Sequence, residues 1–208
     1  VLRRNPGTFT DVVRARRGNR LPTVLSREEI RSLLSVTKGL TGLMLRIGVD
    51  DPGAEMGVLR TIDKLPKSGE AKTRGLLAAE NGLASAQVDS VFEFLSITGD
   101  SAAVLERLGA MFSDGPGAQG HAELTDVFSI LAAVGLADAA ELDLSIARGL
   151  SYYTGTIYET FLGDLPGFGA VMGGGRYDGL IGKFKRDDVP AVGISLGIDR
   201  LLEGLVEL

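Results

Sequence analysis

The sequence contains no cysteine, no tryptophan and only one histidine, His121. The lack of cysteine excludes disulfide bonds, thiolate metal sites and cysteine nucleophiles. A single histidine argues against a histidine-based metal cluster and against a Ser-His-Asp triad. We therefore predict no metal site built from the side chains of this chain.

Long apolar runs are also lacking, and the start of the chain has no signal-peptide pattern. A cytoplasmic protein with no membrane partner is therefore expected.

The net charge of −5 rules out a polycation that binds nucleic acid along its whole length, although a local basic face could still bind RNA. The arginine-rich start offers one such face, and a solvated segment of a larger domain is the alternative. Its arginines are Arg3, Arg4, Arg14, Arg16, Arg17 and Arg20.

The first two thirds of the sequence favour helices. Apolar residues recur at helical spacing from residue 56 to residue 134, which predicts a small helical domain. Residues 26–29, Ser-Arg-Glu-Glu, form a capping box that predicts a helix continuing through Leu34. Residues 115–120 match G-x-G-x-x-G, but they follow a helical stripe rather than a strand. We interpret residues 113–120 as a flexible loop and not as a dinucleotide site.

Residues 142–202 have a different character. Leu142, Leu144 and Ile146 alternate with polar residues and predict a half-buried strand. Residues 156–162 predict a second strand, since they are rich in β-branched and aromatic side chains. A short strand at 170–172 ends on three glycines, and an apolar strand at 191–196 runs into a helix. The pattern predicts consecutive antiparallel strands closed by a strand-to-helix unit, beside the helical region.

Potential binding groups are concentrated in the same stretch. It contains all four tyrosines of the chain, and Arg148, Arg176 and Arg200 each stand where a strand meets a glycine. Arginine suits phosphate and carboxylate oxygens, and tyrosine offers a flat apolar face with a polar tip. The glycines at 173–175 are compatible with a simple bend or with a ligand lying against the backbone. The flanking residues favour the second interpretation, a pocket for an anionic ligand with a planar part.

Three segments of this stretch resemble one enzyme family. RGLSYYTGTIYE (148–159) resembles the histidine-specific signature of histidyl-tRNA synthetases, and GGGRYDGL (173–180) resembles the segment that follows it. PAVGISLGIDRLL (190–202) is similar to motif 3 of the class II aminoacyl-tRNA synthetases. VLRTIDKLPK (58–67) weakly resembles the start of the family's insertion.

The resemblance implies an α+β fold, namely part of the class II antiparallel sheet flanked by helices plus a small all-helical insertion domain. It assigns residues 1–40 to an N-terminal segment of the catalytic domain or a linker. Residues 41–140 would form the insertion domain, which approaches the tRNA acceptor arm. Residues 141–208 would form the catalytic core segment with the histidine signature and motif 3.

The implied reaction joins histidine and ATP into histidyl-adenylate and then transfers histidine to tRNA(His), with Mg²⁺ assisting. Arg148 would contact histidine and the α-phosphate, and Arg200 would hold the γ-phosphate, so these two are the catalytic residues. Gly175 and Gly197 would join them in binding ATP. The histidine pocket would comprise Arg148, Tyr152, Tyr153, Tyr177, Gly173 and Gly174. Glu159 lies near these tyrosines; a structural pairing with an arginine is favoured over a role in holding magnesium.

The chain also departs from the family. Ser151 occupies a position where the family usually has an acidic residue, which places the fine geometry of the pocket in question. Motifs 1 and 2 and an anticodon-binding domain are not found. We therefore expect an incomplete catalytic domain, a homodimer formed through regions absent from this chain, and weak or no adenylation by the isolated chain.

Two other functions stay open at this point. One is the synthetase-like regulatory subunit of ATP phosphoribosyltransferase in histidine biosynthesis, which shares the fold and senses histidine without charging tRNA. The other, for the helical region, is a stand-alone RNA-binding or structural fragment. The motif 3 arginine, Arg200, favours the ligase over the regulatory subunit.

Overall fold

A computed structural model describes residues 30–147, 152–165, 167–182 and 189–207. Five strands form one sheet in the order β2-β1-β3-β4-β5. β1 and β2 are parallel, and every other neighbouring pair is antiparallel, which confirms the predicted α+β fold. The strands are β1 (Ile30–Val36), β2 (Ala140–Leu142), β3 (Thr156–Leu162), β4 (Met172–Arg176) and β5 (Val192–Leu196).

The chain between β1 and β2 is almost entirely helical, as the apolar spacing predicts. A 3-10 turn, Ala137–Ala139, leads from the last of these helices into β2, and two more helices follow later in the chain. Within the described ranges, none of the helices combines the length and apolarity needed to cross a membrane. The helices are α1 (Thr37–Arg46), α2 (Pro52–Ile62), α3 (Leu65–Ser68), α4 (Glu70–Ala79), α5 (Ser85–Leu95), α6 (Ser101–Met111), α7 (Gly115–Ala133), α8 (Asp178–Gly182) and α9 (Ile198–Glu207).

One hydrophobic core joins the helices to the sheet. Leu34 of β1 and Leu142 of β2 belong to the same buried cluster as Leu43, Phe94 and Leu124 from three helices. Burying this apolar surface is the main stabilising contribution to the fold. The helical region and the sheet are therefore packed together as one unit at β1 and β2.

α1 and α7 approach each other very closely because glycines face each other at their crossing. A Cβ placed on Gly42 of α1 would lie 2.6 Å from the Cα of Gly117 in α7, and 3.3 Å from the Phe112 ring. Such distances leave no room for a methyl group between the backbones. The close crossing brings the side chains that flank it, Lys38 on α1 and Glu123 on α7, within hydrogen-bond distance of each other.

The predicted helix through Leu34 is wrong, because residues 30–36 form β1. The spacing of Ile30, Leu33 and Leu34 is compatible with a helix or a strand. The helix is therefore predicted from the capping box at residues 26–29 alone. In the structure β1 is hydrogen-bonded on both sides, to β2 and to β3. These long-range pairings override the local signal; residues 26–29 themselves lie outside the described residues.

The loop predicted at 113–120 is also wrong, since α7 begins at Gly115. Pro116 stands in the first turn of the helix, where its missing N–H costs nothing and its fixed φ suits the helix. Gly117 and Gly120 are buried within α7. At Gly117 the reason is the close packing against Gly42 and Phe112, so here a glycine serves packing rather than flexibility.

Two strand boundaries differ from the prediction as well. The strand predicted from Leu142 to Ile146 stops at Leu142, because Asp143 Oδ1 accepts hydrogen bonds from the Ser145 N–H at 2.8 Å and from Ser145 Oγ at 2.6 Å. This local turn competes with the sheet for the backbone. The glycines at 173–175 lie inside β4 rather than after its end.

Replacing Gly42 with alanine should destabilise the fold by about 1–3 kcal/mol, since the added methyl group must push α1 and α7 apart. Urea unfolding followed by far-UV circular dichroism measures the change. Gly75→Ala is the matched control: Gly75 is exposed in α4 with nothing within 4 Å of its missing Cβ. That control should gain about 0.5–1 kcal/mol. A Gly42→Ala protein as stable as the parent chain would contradict the close crossing.

Candidate active site

The candidate site is a cavity of ≈ 460 Å³ at strands β3, β4 and β5. Its floor is β4, whose central residues are three consecutive glycines. Strands β3 and β5 flank this floor, and the residues before β3 and after β5 contribute the walls. Among the lining residues are Tyr152, Tyr153, Tyr158, Glu159, Gly173, Gly174, Ser195, Gly197 and Arg200.

The register of the sheet explains which glycine is the open part of the floor. Gly173 pairs with Glu159 on β3 and with Ser195 on β5, and all three line the cavity. A Cβ on Gly173 would meet only the Tyr158 carbonyl oxygen, at 3.6 Å. Space over Gly173 is therefore available to a ligand.

Two other glycines make room for tyrosine rings. A Cβ on Gly175 would lie 2.9 Å from two ring carbons of Tyr153, and a Cβ on Gly193 of β5 would collide with the Tyr177 ring. The rings of Tyr152 and Tyr153 are 4.6 Å apart, and Tyr152 stands edge-on to Tyr177 at 6.0 Å. The absence of side chains on the sheet thus lets three tyrosines gather into one aromatic wall.

The Tyr158 side chain makes a hydrogen bond across the sheet. The hydroxyl donates a hydrogen bond to the Gly193 carbonyl at 2.9 Å, so the side chain reaches from β3 across β4 to β5. Burial, and secondarily Tyr177, raises the pKa of Tyr158, which keeps the phenol protonated. Gly174 lies beneath this bridge: a Cβ there would be 2.6 Å from the Tyr158 oxygen.

An ion pair holds the turn that follows the tyrosine pair. Arg176 Nε donates to both carboxylate oxygens of Asp178 at 3.0 Å, and the Asp178 N–H donates to Thr154 Oγ1 at 3.0 Å. The Thr154 N–H in turn donates to the Arg176 carbonyl at 2.8 Å. The bonds from Arg176 lower the pKa of Asp178. Asp178 is therefore an ionised structural group rather than an acid or base.

Arg200 supplies positive charge at the edge of the cavity. It lies in the first turn of α9, where the helix dipole adds to the attraction for anions, and its side chain is exposed. Arg200 Nη1 donates to the Ala170 carbonyl at 2.9 Å. Arg200 also borders a cleft of ≈ 720 Å³ that Arg60 and Lys67 line from the helical region.

Within the described part of the chain, no group of three or more acidic or histidine side chains is arranged to hold a metal ion.

Comparisons with known proteins show the family of the chain. The sequence profile of the histidyl-tRNA synthetase family matches residues 39–201. The chain belongs to this family. The histidine–tRNA ligase of Rhodopirellula baltica is 40% identical over 171 residues, which cover 81% of this chain and 38% of that relative. That of Xanthomonas campestris pv. campestris (strain ATCC 33913) is 40% identical over 184 residues, with 84% and 38% covered. The chain thus spans about 38% of the length of these synthetases.

Solved structures give the same family. The histidyl-tRNA synthetase from Nostoc sp. PCC 7120 is similar with a TM-score of 0.81 and 32% identity, over 88% of this chain and 43% of that one. A Bacillus halodurans protein named as ATP phosphoribosyltransferase regulatory subunit/histidyl-tRNA synthetase has a TM-score of 0.70 at 24% identity, over 84% and 44%. The second likeness shows the shared fold alone.

The structure brings most of the residues predicted from the synthetase signatures to one place. Arg148 and Ser151 lie outside the described residues. Gly175 and Tyr177 lie beside the cavity: the Tyr153 ring covers Gly175, and Tyr177 packs edge-on against Tyr152 within the aromatic wall. Those that line the cavity itself are Tyr152, Tyr153, Gly173, Gly174, Gly197 and Arg200. The binding and catalytic roles assigned to all of these residues stay predictions.

The sequence interpretation assigned no individual role to two residues of this site, although Tyr158 was counted among the four tyrosines of the expected pocket. Ser195 lines the cavity because it pairs with Gly173, and the alternation along β5 was the signal that could have identified it. Tyr158 bridges three strands, which a sequence cannot reveal without the register. Neither residue stands out by type within a synthetase motif.

Replacing Gly175 with alanine should displace the Tyr153 ring, because the added methyl group would lie 2.9 Å from it and 2.8 Å from the Thr156 carbonyl. We expect a loss of about 1–3 kcal/mol in unfolding free energy and a changed near-UV circular dichroism spectrum. That spectrum reports on the site, since the chain has no tryptophan and all four tyrosines lie there. Gly179→Ala, with nothing within 4 Å, is the control. An unaltered tyrosine spectrum in Gly175→Ala would contradict the packing described.

Proposed function

We propose that this chain supplies part of the catalytic site of a histidine–tRNA ligase. The enzyme would activate histidine with ATP to histidyl-adenylate and transfer the histidine to tRNA(His). The observation that carries the proposal is the cavity, in which a glycine floor, an aromatic wall and an arginine meet. The 40% identity with histidine–tRNA ligases over most of the chain supports the same reaction.

The tyrosine side of the cavity is the proposed histidine site. An imidazole ring is flat and carries two nitrogen atoms, so it suits a site with aromatic faces and hydroxyl groups. Tyr152 and Tyr153 would contact the ring, with Tyr177 packed behind them. Gly173 and Gly174 would let the amino acid lie against the sheet. Arg148 is proposed to contact both histidine and the α-phosphate.

The arginine side is the proposed ATP site. Arg200 would hold the γ-phosphate with the help of the α9 dipole, and Gly197 lines the cavity next to it. Gly175 is proposed to take part through its backbone, since the Tyr153 ring fills the space over it. We expect Mg²⁺ to arrive on the ATP phosphates, with at most one or two carboxylates assisting. Catalysis would rest on positioning and on stabilising the charge that develops as the histidine carboxylate attacks ATP. No covalent enzyme intermediate is required.

The remaining features of the proposal concern the whole enzyme. The helical part, residues 41–140, would approach the acceptor arm of tRNA(His). Its Arg60 and Lys67 line a cleft that also contains Arg200 and the acidic residues Asp63, Asp143 and Glu159. A cytoplasmic location, a homodimer and a class II catalytic domain belong to the same proposal.

Histidine-dependent ATP–pyrophosphate exchange tests the activity. We expect exchange by the product of the complete reading frame, and a loss of at least about 100-fold in Arg200→Ala or Arg148→Ala, because each removes a charged contact made in the transition state. Asp126→Asn, an exposed change on α7, is the control. Histidine binding without exchange would contradict the ligase and favour the regulatory subunit; absence of both would contradict the histidine site itself.

Gly173→Val tests the location of the substrate. Its side chain would enter the open space over the floor, and valine suits a strand, so stability should not fall. Histidine affinity should drop by more than about tenfold, since the isopropyl group occupies ligand volume. Tyrosine fluorescence during a histidine titration measures the affinity. Gly167→Val adds the same atoms at an open position outside the cavity. Equal affinity in Gly173→Val and the parent chain would place the substrate elsewhere.

A further inference from the structure

Glu123 connects the helical region to the tyrosine site through two positive charges. Lys38 Nζ on α1 donates to Glu123 Oε1 at 2.6 Å, and Arg176 Nη1 at the end of β4 lies 3.7 Å from the same oxygen. The Glu123 side chain is only 23% exposed. A carboxylate in this partly buried position is screened less by water than one on the open surface.

The same carboxylate lies against the backbone that follows the tyrosine pair. A Cβ on Gly155 would be 3.2 Å from Glu123 Oε2 and 3.0 Å from the Arg176 side chain. The Gly155 carbonyl accepts hydrogen bonds from the Thr37 N–H at 3.3 Å and from Thr37 Oγ1 at 3.2 Å. Thr154 and Gly155 are therefore held between the start of α1, the end of β4 and the Glu123 carboxylate.

We propose that Glu123 is a positioning residue for the aromatic wall. From α7 it holds Lys38 and Arg176 together and so fixes Thr154 and Gly155, the two residues directly after Tyr152 and Tyr153. Glu123 itself does not line the cavity, so it acts through these neighbours and not on the substrate. Because a positioned aromatic wall matters only if it binds substrate, the inference rests on the proposed histidine site.

The geometry gives Glu123 this role for two reasons. Arg176 has a second carboxylate partner, Asp178. Within the described residues, however, Glu123 is the only carboxylate that lies within ion-pair distance of both Lys38 and Arg176. Removing the negative charge would leave Lys38 and Arg176 facing each other as like charges near one loop. The loop would then lose its fixed distance from α1 and α7 while the Arg176–Asp178 pair stays in place.

Glu123→Gln in the full chain tests the proposal, since it removes the charge and keeps the shape. We expect a changed near-UV circular dichroism signal from the four tyrosines and a far-UV spectrum close to that of the parent chain. The unfolding midpoint should fall modestly, because Lys38 and Arg176 lose their shared negative partner. Histidine affinity, from the tyrosine fluorescence titration, should fall by about three- to tenfold. Asp126→Asn makes the same charge change on the exposed side of α7 and should alter neither signal.

The outcomes separate this inference from the proposed function. Unchanged tyrosine spectrum and unchanged histidine affinity in folded Glu123→Gln overturn the positioning role, while binding by the parent chain keeps the histidine site. If the parent chain does not bind histidine, the proposed histidine site is overturned, and with it the effect of Glu123 on histidine binding. The near-UV spectra of the two proteins without histidine then still show whether Glu123 fixes Thr154 and Gly155. Should Glu123→Gln not fold, Lys38→Met removes the other end of the contact, and the same two measurements decide.

Discussion

The glycine strand β4 is the constraint on which the rest of the site depends. It runs between β3 and β5, so its residues must make backbone hydrogen bonds on both sides. Three glycines in an inner strand weaken it, because glycine loses the most conformational freedom and contributes no side-chain packing. The neighbours compensate: the Tyr158 side chain crosses over β4 and bonds to β5. The glycines of β4 thus provide the open floor, while Tyr158 on the neighbouring strand helps to stabilise it.

Glycine also removes side-chain volume where α1 and α7 cross, at a distance from the cavity. Glycines at 42 and 117 allow the helices to cross with almost no side chains between them, and this crossing sets Lys38 against Glu123. The Lys38–Glu123 contact is linked to the site because Arg176 and Gly155 both lie beside Glu123. Packing in the helical region therefore determines the positions of Lys38 and Glu123 next to Thr154 and Gly155. That region contributes no described residue to the cavity itself.

The sequence predicted the architecture well where patterns were local and unambiguous. Residues 156–162 form the predicted strand, and the apolar spacing from 56 to 134 predicted the helices. It failed at β1, because Ile30 and Leu34 suit either structure and the partners that decide lie more than 100 residues away. At Gly115–Ala133 the glycines suggested a loop, since their packing partner, α1, is unknown before the fold. For the site, six of the predicted motif residues line one cavity, whereas Tyr158, Ser195 and Glu123 required the register and the helix crossing. The six are Tyr152, Tyr153, Gly173, Gly174, Gly197 and Arg200.

The two sides of the cavity are supported unequally. The tyrosine side is held by the Arg176–Asp178 pair, by Glu123 and by the common core. The arginine side comes from β5 and α9, and β5 is the last strand of the described sheet. Its apolar residues are exposed, with Val192 at 69% and Ile194 at 56%, and the same holds on α9 for Ile198 and Leu202. An apolar edge strand of this kind favours association with other chains. Arg200 follows β5 directly, so its position depends on an exposed edge strand. A chain that packs against β5 should therefore change the contacts of Arg200 more than those of Tyr152 and Tyr153.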